Sequence, residues 1–433
     1  EAEVRIMQPA VTEGASTLVT ITLSDAIKRA RKNDVQFLSA GADAKMSHED
    51  RVQARNAMLP TISATTQALL TQGNGKTSNG RFVTNDGVHV YRAWGVLHED
   101  LSPQNYTMTS YHRAEAVEAI SRAKAEIASR GLTVTVTKLY YTLAVSEHRF
   151  ATTRQSLDQA KYFFEITQHA EQLGQAAHAD VIKAEIQYRQ QEQSLEESKL
   201  AMENARLDLA VLLFPTLNEN FTIVDDLESS AALPAFTEVQ SMAAKENPAL
   251  RVALESARQA GAEVFAAKAA FLPTLTLDVD YGIEANSFAL RSPIAADRLL
   301  GPLPNLGYFV TAGVNIPVWD WGTLRSKLHQ AKYKQEVANA EMSQAQRTLL
   351  SQLYSAYNEA TIARAALETS RRTADLAAES LRLINLRYQA GESTVLEVVD
   401  ALNTQLMARN ANDDAGLRYR VALAALQTLT GSF

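Results

Sequence analysis

The chain of 433 residues contains no cysteine, which excludes disulfides, thiolate metal sites and an acylated N-terminal cysteine. Aromatic residues are only 7%, with 18 Gly and 11 Pro, a composition better suited to long helices than to a set of compact cores. No apolar run approaches the roughly 20 residues that a membrane-spanning helix needs, so any passage through a bilayer has to use strands. No basic run is read in the chain, and a net charge of -7 with a pI near 5.7 argues against a nucleic-acid footprint. Glu1 opens the chain without a charged or apolar leader, which fits a cytosolic protein or an exported one whose signal is removed.

Signs of chemistry are also scarce. There is no HExxH and no GxSxG, and the eight His fall at no ligand-pair spacing, so neither a catalytic residue, a metal nor a cofactor is expected. Gly75-Lys76-Thr77 has the end of a phosphate-binding loop, but Leu70 stands where the upstream glycine is needed, and a hairpin tip is the better reading. His48-Glu49-Asp50 and His98-Glu99-Asp100 read as solvated clusters without complementary partners.

What the chain does have is a repeat. Leu59-Pro60-Thr61 returns as Leu272-Pro273-Thr274, Pro103 as Pro317, Gly174 as Gly391, and Pro215 as Gly431, at offsets of 213 to 217 residues. Self-similarity at a fixed offset marks two halves that fold alike. The organisation expected is an N-terminal segment 1–21, a first repeat 22–214, a linker 215–236 packed around the middle of the helices, and a second repeat 237–433.

Stretches without Gly or Pro locate the helices. Thr323 to Ala390 has neither over 68 residues, and its counterpart Gln104 to Leu173 is interrupted only by Gly131; a helix of that length runs about 100 Å at 1.5 Å per residue. Long helices are therefore expected over 104–173 and 320–390. Each is paired with two shorter ones, Thr22–Met58 with Ala177–Leu213 and Thr237–Phe271 with Glu392–Thr430. Thr22 with Asp25, and Thr237 with Gln240, have capping-box character. Leu195, Met202 and Leu209, seven apart, suit either a coiled-coil seam or an ordinary bundle core.

Strands follow from period two. Leu275, Leu277, Val279, Tyr281 and Ile283 alternate with Thr274, Thr276, Asp278 and Asp280, the pattern of a barrel strand between lipid and a wet lumen. Strands are expected at about 60–72, 88–101, 273–284 and 308–318, with hairpin tips at Gly73–Gly87 and about Ala285–Gly307. Trp319 and Trp321 stand where a strand would leave the membrane. Four strands cannot close a barrel, and lipid does not tolerate open edges, so several chains have to share one: eight strands from a dimer or twelve from a trimer, of which only the larger leaves an obvious passage. Glu397 and Asp400, three apart, share a helix face just beyond Gly391; on a symmetry axis such carboxylates become rings that select cations.

Two Leu-Pro-Thr junctions, Asn315-Ile316-Pro317-Val318-Trp319-Asp320-Trp321-Gly322, and Arg387-Tyr388-Gln389-Ala390-Gly391 followed by Val395 to Ala401 together resemble the TolC family of bacterial outer-membrane efflux channels. The resemblance covers about Thr22 to Gly431. It implies an α+β membrane protein: a homotrimer in which a long α-helical coiled-coil barrel continues a transmembrane β-barrel of four strands per chain. It would sit in the outer membrane and project into the periplasm, as a passive exit duct of a tripartite efflux or type I secretion system. Its partners would be outer-membrane lipid, a periplasmic adaptor and an inner-membrane pump. The resemblance places a periplasmic aperture at Glu397 and Asp400 and closed-state links at Asp180, Tyr388 and Ser393, where Ser393 replaces an arginine found in some members. Adaptor contact falls at the turns of Gly174 and Gly391, and the missing N-terminal cysteine implies no acyl anchor. A periplasmic adaptor and a soluble helical scaffold are the alternatives; the first usually nests its elements instead of repeating them, and the second would need no detergent.

Overall fold

The computed structural model describes residues 19–70, 89–174, 176–215, 220–227, 232–295 and 302–431. The first half runs β1 (Val19–Ile21), α1 (Leu23–Asn33), α2 (Val35–Asn56), β2 (Thr61–Leu70), β3 (His89–Leu101), α3 (Pro103–Tyr106), α4 (Thr109–Gln172), α5 (His178–Leu213) and β4 (Phe221–Ile223). The second runs α6 (Phe236–Glu246), α7 (Pro248–Ala269), β5 (Thr274–Ala285), β6 (Arg291–Ala295), β7 (Pro302–Pro304), β8 (Leu306–Asn315), α8 (Thr323–Gln389) and α9 (Val395–Thr430). The expected tip Gly73–Gly87, with Gly75-Lys76-Thr77, lies outside the described residues, as do residues 1–18.

The helix before each first strand is broken, against the sequence expectation of one piece. Asp34 stops α1 with φ −71° and ψ 118°, and Asn247 stops α6 with φ −72° and ψ 118°. Each side chain then caps the next helix: Asp34 Oδ1 accepts the Phe37 N–H at 2.6 Å, and Asn247 Oδ1 accepts the Leu250 N–H at 2.9 Å. An Asx side chain offers the backbone this alternative to continuing the helix. Another correction concerns the start of α6. Thr22 caps α1 as expected, its Oγ1 accepting the Asp25 N–H at 3.2 Å, but α6 begins at Phe236 with Ala235 as its cap and no side-chain bond, so Thr237 already lies within the first turn.

The chain divides into two compact units, one of Glu1–Asp43, Arg122–Arg251 and Gln344–Phe433, the other of Ala44–Ser121 and Val252–Ser343. The second unit holds an antiparallel sheet of order β2-β3-β5-β8. Its register, with Leu97 opposite Val279 and Val279 opposite Val310, places Ile62, Leu97, Val279 and Val310 on one face. Gln67, Arg92 and Glu284 share the other, joined by a bond of 3.0 Å from Arg92 to Gln67 and one of 2.8 Å to Glu284. A Cβ at Gly282 would meet the Ala93 carbonyl oxygen at 2.0 Å, so only glycine fits there. β8 ends at Asn315, two residues before Pro317, which has no N–H to offer a ladder. His98 and His48 remain partly exposed but, against the sequence expectation, have partners: His98 Nδ1 lies 2.6 Å from Asp278 Oδ1, and the buried Glu118 of α4 takes His48 Nδ1 at 2.9 Å and Arg51 Nε at 2.6 Å.

In the first unit, β1 pairs in parallel with β4, so the linker is stitched to the segment just before α1. Ile21, Tyr140, Tyr141, Leu209, Leu213 and Phe221 form the core around this pair. Tyr140 Oη sits 2.6 Å from the Val224 carbonyl oxygen and accepts the Val224 N–H at 3.0 Å. Next to it, His148 of α4 joins Asp225 of the linker at 2.6 Å to Asp413 of α9 at 3.5 Å. A second core, of Val239, Ala243, Leu353 and Leu426, packs α6 onto α8 and α9.

Candidate functional site at the helix turns

Two turns in the first unit carry the residues that the sequence singles out. Gly174 (φ 71°) follows α4, and Gly391 (φ 77°) follows α8. A Cβ at either would meet nothing within 4 Å, so the left-handed backbone alone asks for glycine. After Gly391 the Glu392 N–H returns to the Arg387 carbonyl at 2.9 Å, closing the helix end.

Phe163 of α4, Ala184 of α5, Leu381 of α8 and Val395, Val398, Ala401 and Leu402 of α9 bury one another beside these turns. The α9 members recur at helical spacing and fix which side of that helix faces inward. Glu397 and Asp400 are on the other side, both exposed, with Leu396 63% exposed beside them. The buried Gln187 of α5 donates to Asn403 of α9 at 2.9 Å, a polar link between the two returning helices.

Glu397 is firmly held. It is the third helical residue after the cap Thr394, whose Oγ1 accepts the Glu397 N–H at 3.3 Å; Ser393 Oγ donates to Glu397 Oε2 at 2.6 Å, and Arg387 Nη1 is 3.9 Å from the same oxygen. The Ser393 hydroxyl first, then Thr394 and the Arg387 guanidinium, hold the carboxyl below the usual 4.5, so Glu397 is ionised throughout the neutral range. Thr394-x-x-Glu397 is a capping-box pattern that the sequence displays and the sequence reading passed over, along with Arg387. Asp400 has no ion-pair or hydrogen-bond partner among the described residues.

The three residues assigned to closed-state links have separate surroundings. Asp180 lies in the first turn of α5, 3.7 Å from Lys183; Tyr388 packs its ring 5.1 Å from that of Phe163; Ser393 is engaged by Glu397. Within one chain the structure brings Ser393 together with Glu397, while Asp180 and Tyr388 have other neighbours.

Comparison with known proteins gives this architecture relatives. The sequence profile described as outer membrane efflux protein matches residues 239–432. The pyoverdine export outer membrane protein OpmQ of Pseudomonas aeruginosa is 24% identical over 421 residues, covering 95% of this chain and 84% of that protein. Its Pseudomonas putida namesake is 30% identical over 178 residues, of which the alignment spans only 34% of the relative. The outer membrane protein TolC of Vibrio cholerae is 22% identical over 422 residues, covering 94% of this chain and 89% of the relative. In fold, the outer-membrane channel OprN superimposes with a TM-score of 0.78 at 18% identity, over 95% of this chain and 90% of the other.

Proposed function

We propose that the chain is a member of the TolC family of outer-membrane efflux channels, which it resembles over 239–432 in sequence profile and over nearly its whole length in fold, and that three copies form a passive exit duct, opened by a periplasmic adaptor and powered by an inner-membrane pump. The relatives are channels, not enzymes, which points to a role without chemistry. The observation that carries the proposal is the four-stranded sheet. Among the described residues, β2 and β8 have no neighbour on their outer sides, and large apolar groups stand free, with Ile62 81%, Tyr308 78% and Val314 63% exposed. A lipid face with unpaired edges is not viable alone. Joining β8 of one copy to β2 of the next keeps the antiparallel order and pairs every edge; three copies make twelve strands, wide enough for a lumen.

Glu397 and Asp400 then form two acidic rings at the periplasmic aperture, and Asp180, Tyr388 and Ser393 serve the links between neighbouring helices that hold it closed. An adaptor seated at the Gly174 and Gly391 turns stabilises the open arrangement by binding it more tightly than the closed one. The test is single-channel recording in a planar bilayer on the wild type and on Glu397→Gln with Asp400→Asn. Gln retains the capping-box geometry, so the change removes charge from an intact helix start. Cation-selective openings that lose their selectivity in the variant are expected; unchanged selectivity would take these residues out of the aperture.

A further inference from the structure

The whole-chain charge conceals a local exception. α1 carries Lys28, Arg29, Arg31 and Lys32 within five residues, a basic run that contradicts the sequence reading. Lys28, Arg29 and Lys32, with Asp25, lie at the spacing of one helix face, and all four line a cavity of about 390 Å³ completed by Thr20, Ile21, Asn33, Leu213, Phe214 and Pro215. Among the described residues none of the three cations has a carboxylate within ion-pair distance. The acid beside them, Asp25, is engaged by the Thr22 hydroxyl, which donates to Asp25 Oδ2 at 2.8 Å. Arg29 lies 5.4 Å from the centre of the Phe214 ring, and Asn33 donates to the Leu213 carbonyl at 2.7 Å, which fixes that part of the wall, while Lys28 and Lys32 are exposed. Arg31 is exposed and does not line the cavity; at the helix end its charge complements the macrodipole.

We propose that this cavity is a binding site for an organic carboxylate ligand, supplied by the free carboxylates of cell-wall stem peptides. Among the described lining residues three cations face the single carboxylate of Asp25, a net positive lining that asks for an anion, and the apolar floor of Ile21, Leu213, Phe214 and Pro215 asks for a carbon skeleton, which bare phosphate lacks. The volume falls in the range of small-ligand pockets. The assignment of the wall as source rests on the reading of the chain as an outer-membrane duct that reaches into the periplasm. The site would anchor each copy to the wall.

The test is co-sedimentation of the detergent-purified full-length protein with purified peptidoglycan sacculi, competed with free L-Ala-D-Glu-diaminopimelate tripeptide or with inorganic pyrophosphate. Lys28→Gln with Lys32→Gln is expected to weaken binding about tenfold or more, the loss that follows from removing charge-assisted hydrogen bonds. Arg31→Gln should leave binding within about twofold, and the tripeptide should displace the protein. Equal weakening by Arg31→Gln would show diffuse charge attraction and overturn the site. Competition by pyrophosphate alone, or no sedimentation of the wild type, would overturn the ligand. Bilayer conductance of the same samples separates the two proposals: its absence in the wild type would sink the duct, while the sedimentation result would stand or fall by itself.

Discussion

At Glu397, the residue proposed to face the pore also fastens the start of α9, through Thr394, Ser393 and Arg387. Thr394→Ala removes the cap and should lower stability by about 1 kcal/mol, read as a fall in the thermal unfolding midpoint; an unchanged midpoint would deny the cap any energetic role. His148 gives a pH prediction. The Asp413 carboxylate first, with Asp225, raises its pKa from 6.5 to about 9. A raised folded value means stabilisation fully present below about pH 6.5 and lost as pH climbs to about 9. The side chain is 34% exposed, so after solvent screening the effect is on the order of 1 kcal/mol. His148→Gln should flatten this part of the stability profile, and a wild-type profile already flat between pH 6.5 and 9 would contradict the pairing. The single-sequence pattern showed Glu397 and Asp400 as a same-face pair. It could not show His148 between two acids 77 and 265 positions away in the chain.

At the scale of elements, α8 was expected over 320–390 and runs Thr323–Gln389, because 68 positions without Gly or Pro leave few alternatives to helix. β5 was legible because strict alternation is hard to satisfy otherwise. The breaks at Asp34 and Asn247 were missed, since a helix-forming run masks a single Asx cap, although Pro248 after Asn247 is the pattern of a first helical position. Those two residues are 213 apart, the offset of the Leu-Pro-Thr junctions, so the repeat extends to the broken helices. Met108 and Trp321, with φ of 55° and 57°, are separated by the same offset and precede the two long helices. Asn247 is only 4% exposed and also donates to the Leu429 carbonyl at 3.3 Å. Asn247→Ala should therefore cost about 1 to 2 kcal/mol, measured by denaturant unfolding. A loss below a few tenths would mean the break is set by Pro248 alone.

For the whole molecule, the offset repeat, the absent apolar helix and four alternating segments together pointed to a barrel built from several chains. They could do so because lipid leaves few solutions for a backbone. The pairing of β1 with β4 stayed hidden, as three-residue strands carry almost no periodic signal. So did the basic face of α1, lost in the average charge. The most direct test of the account is the mass of the detergent-extracted particle by native mass spectrometry, with delipidation kept mild enough to preserve assemblies. Three copies of 47.4 kDa, about 142 kDa, are predicted, falling to single chains on heating; a monomer or dimer under the same conditions would contradict a barrel shared by three sheets.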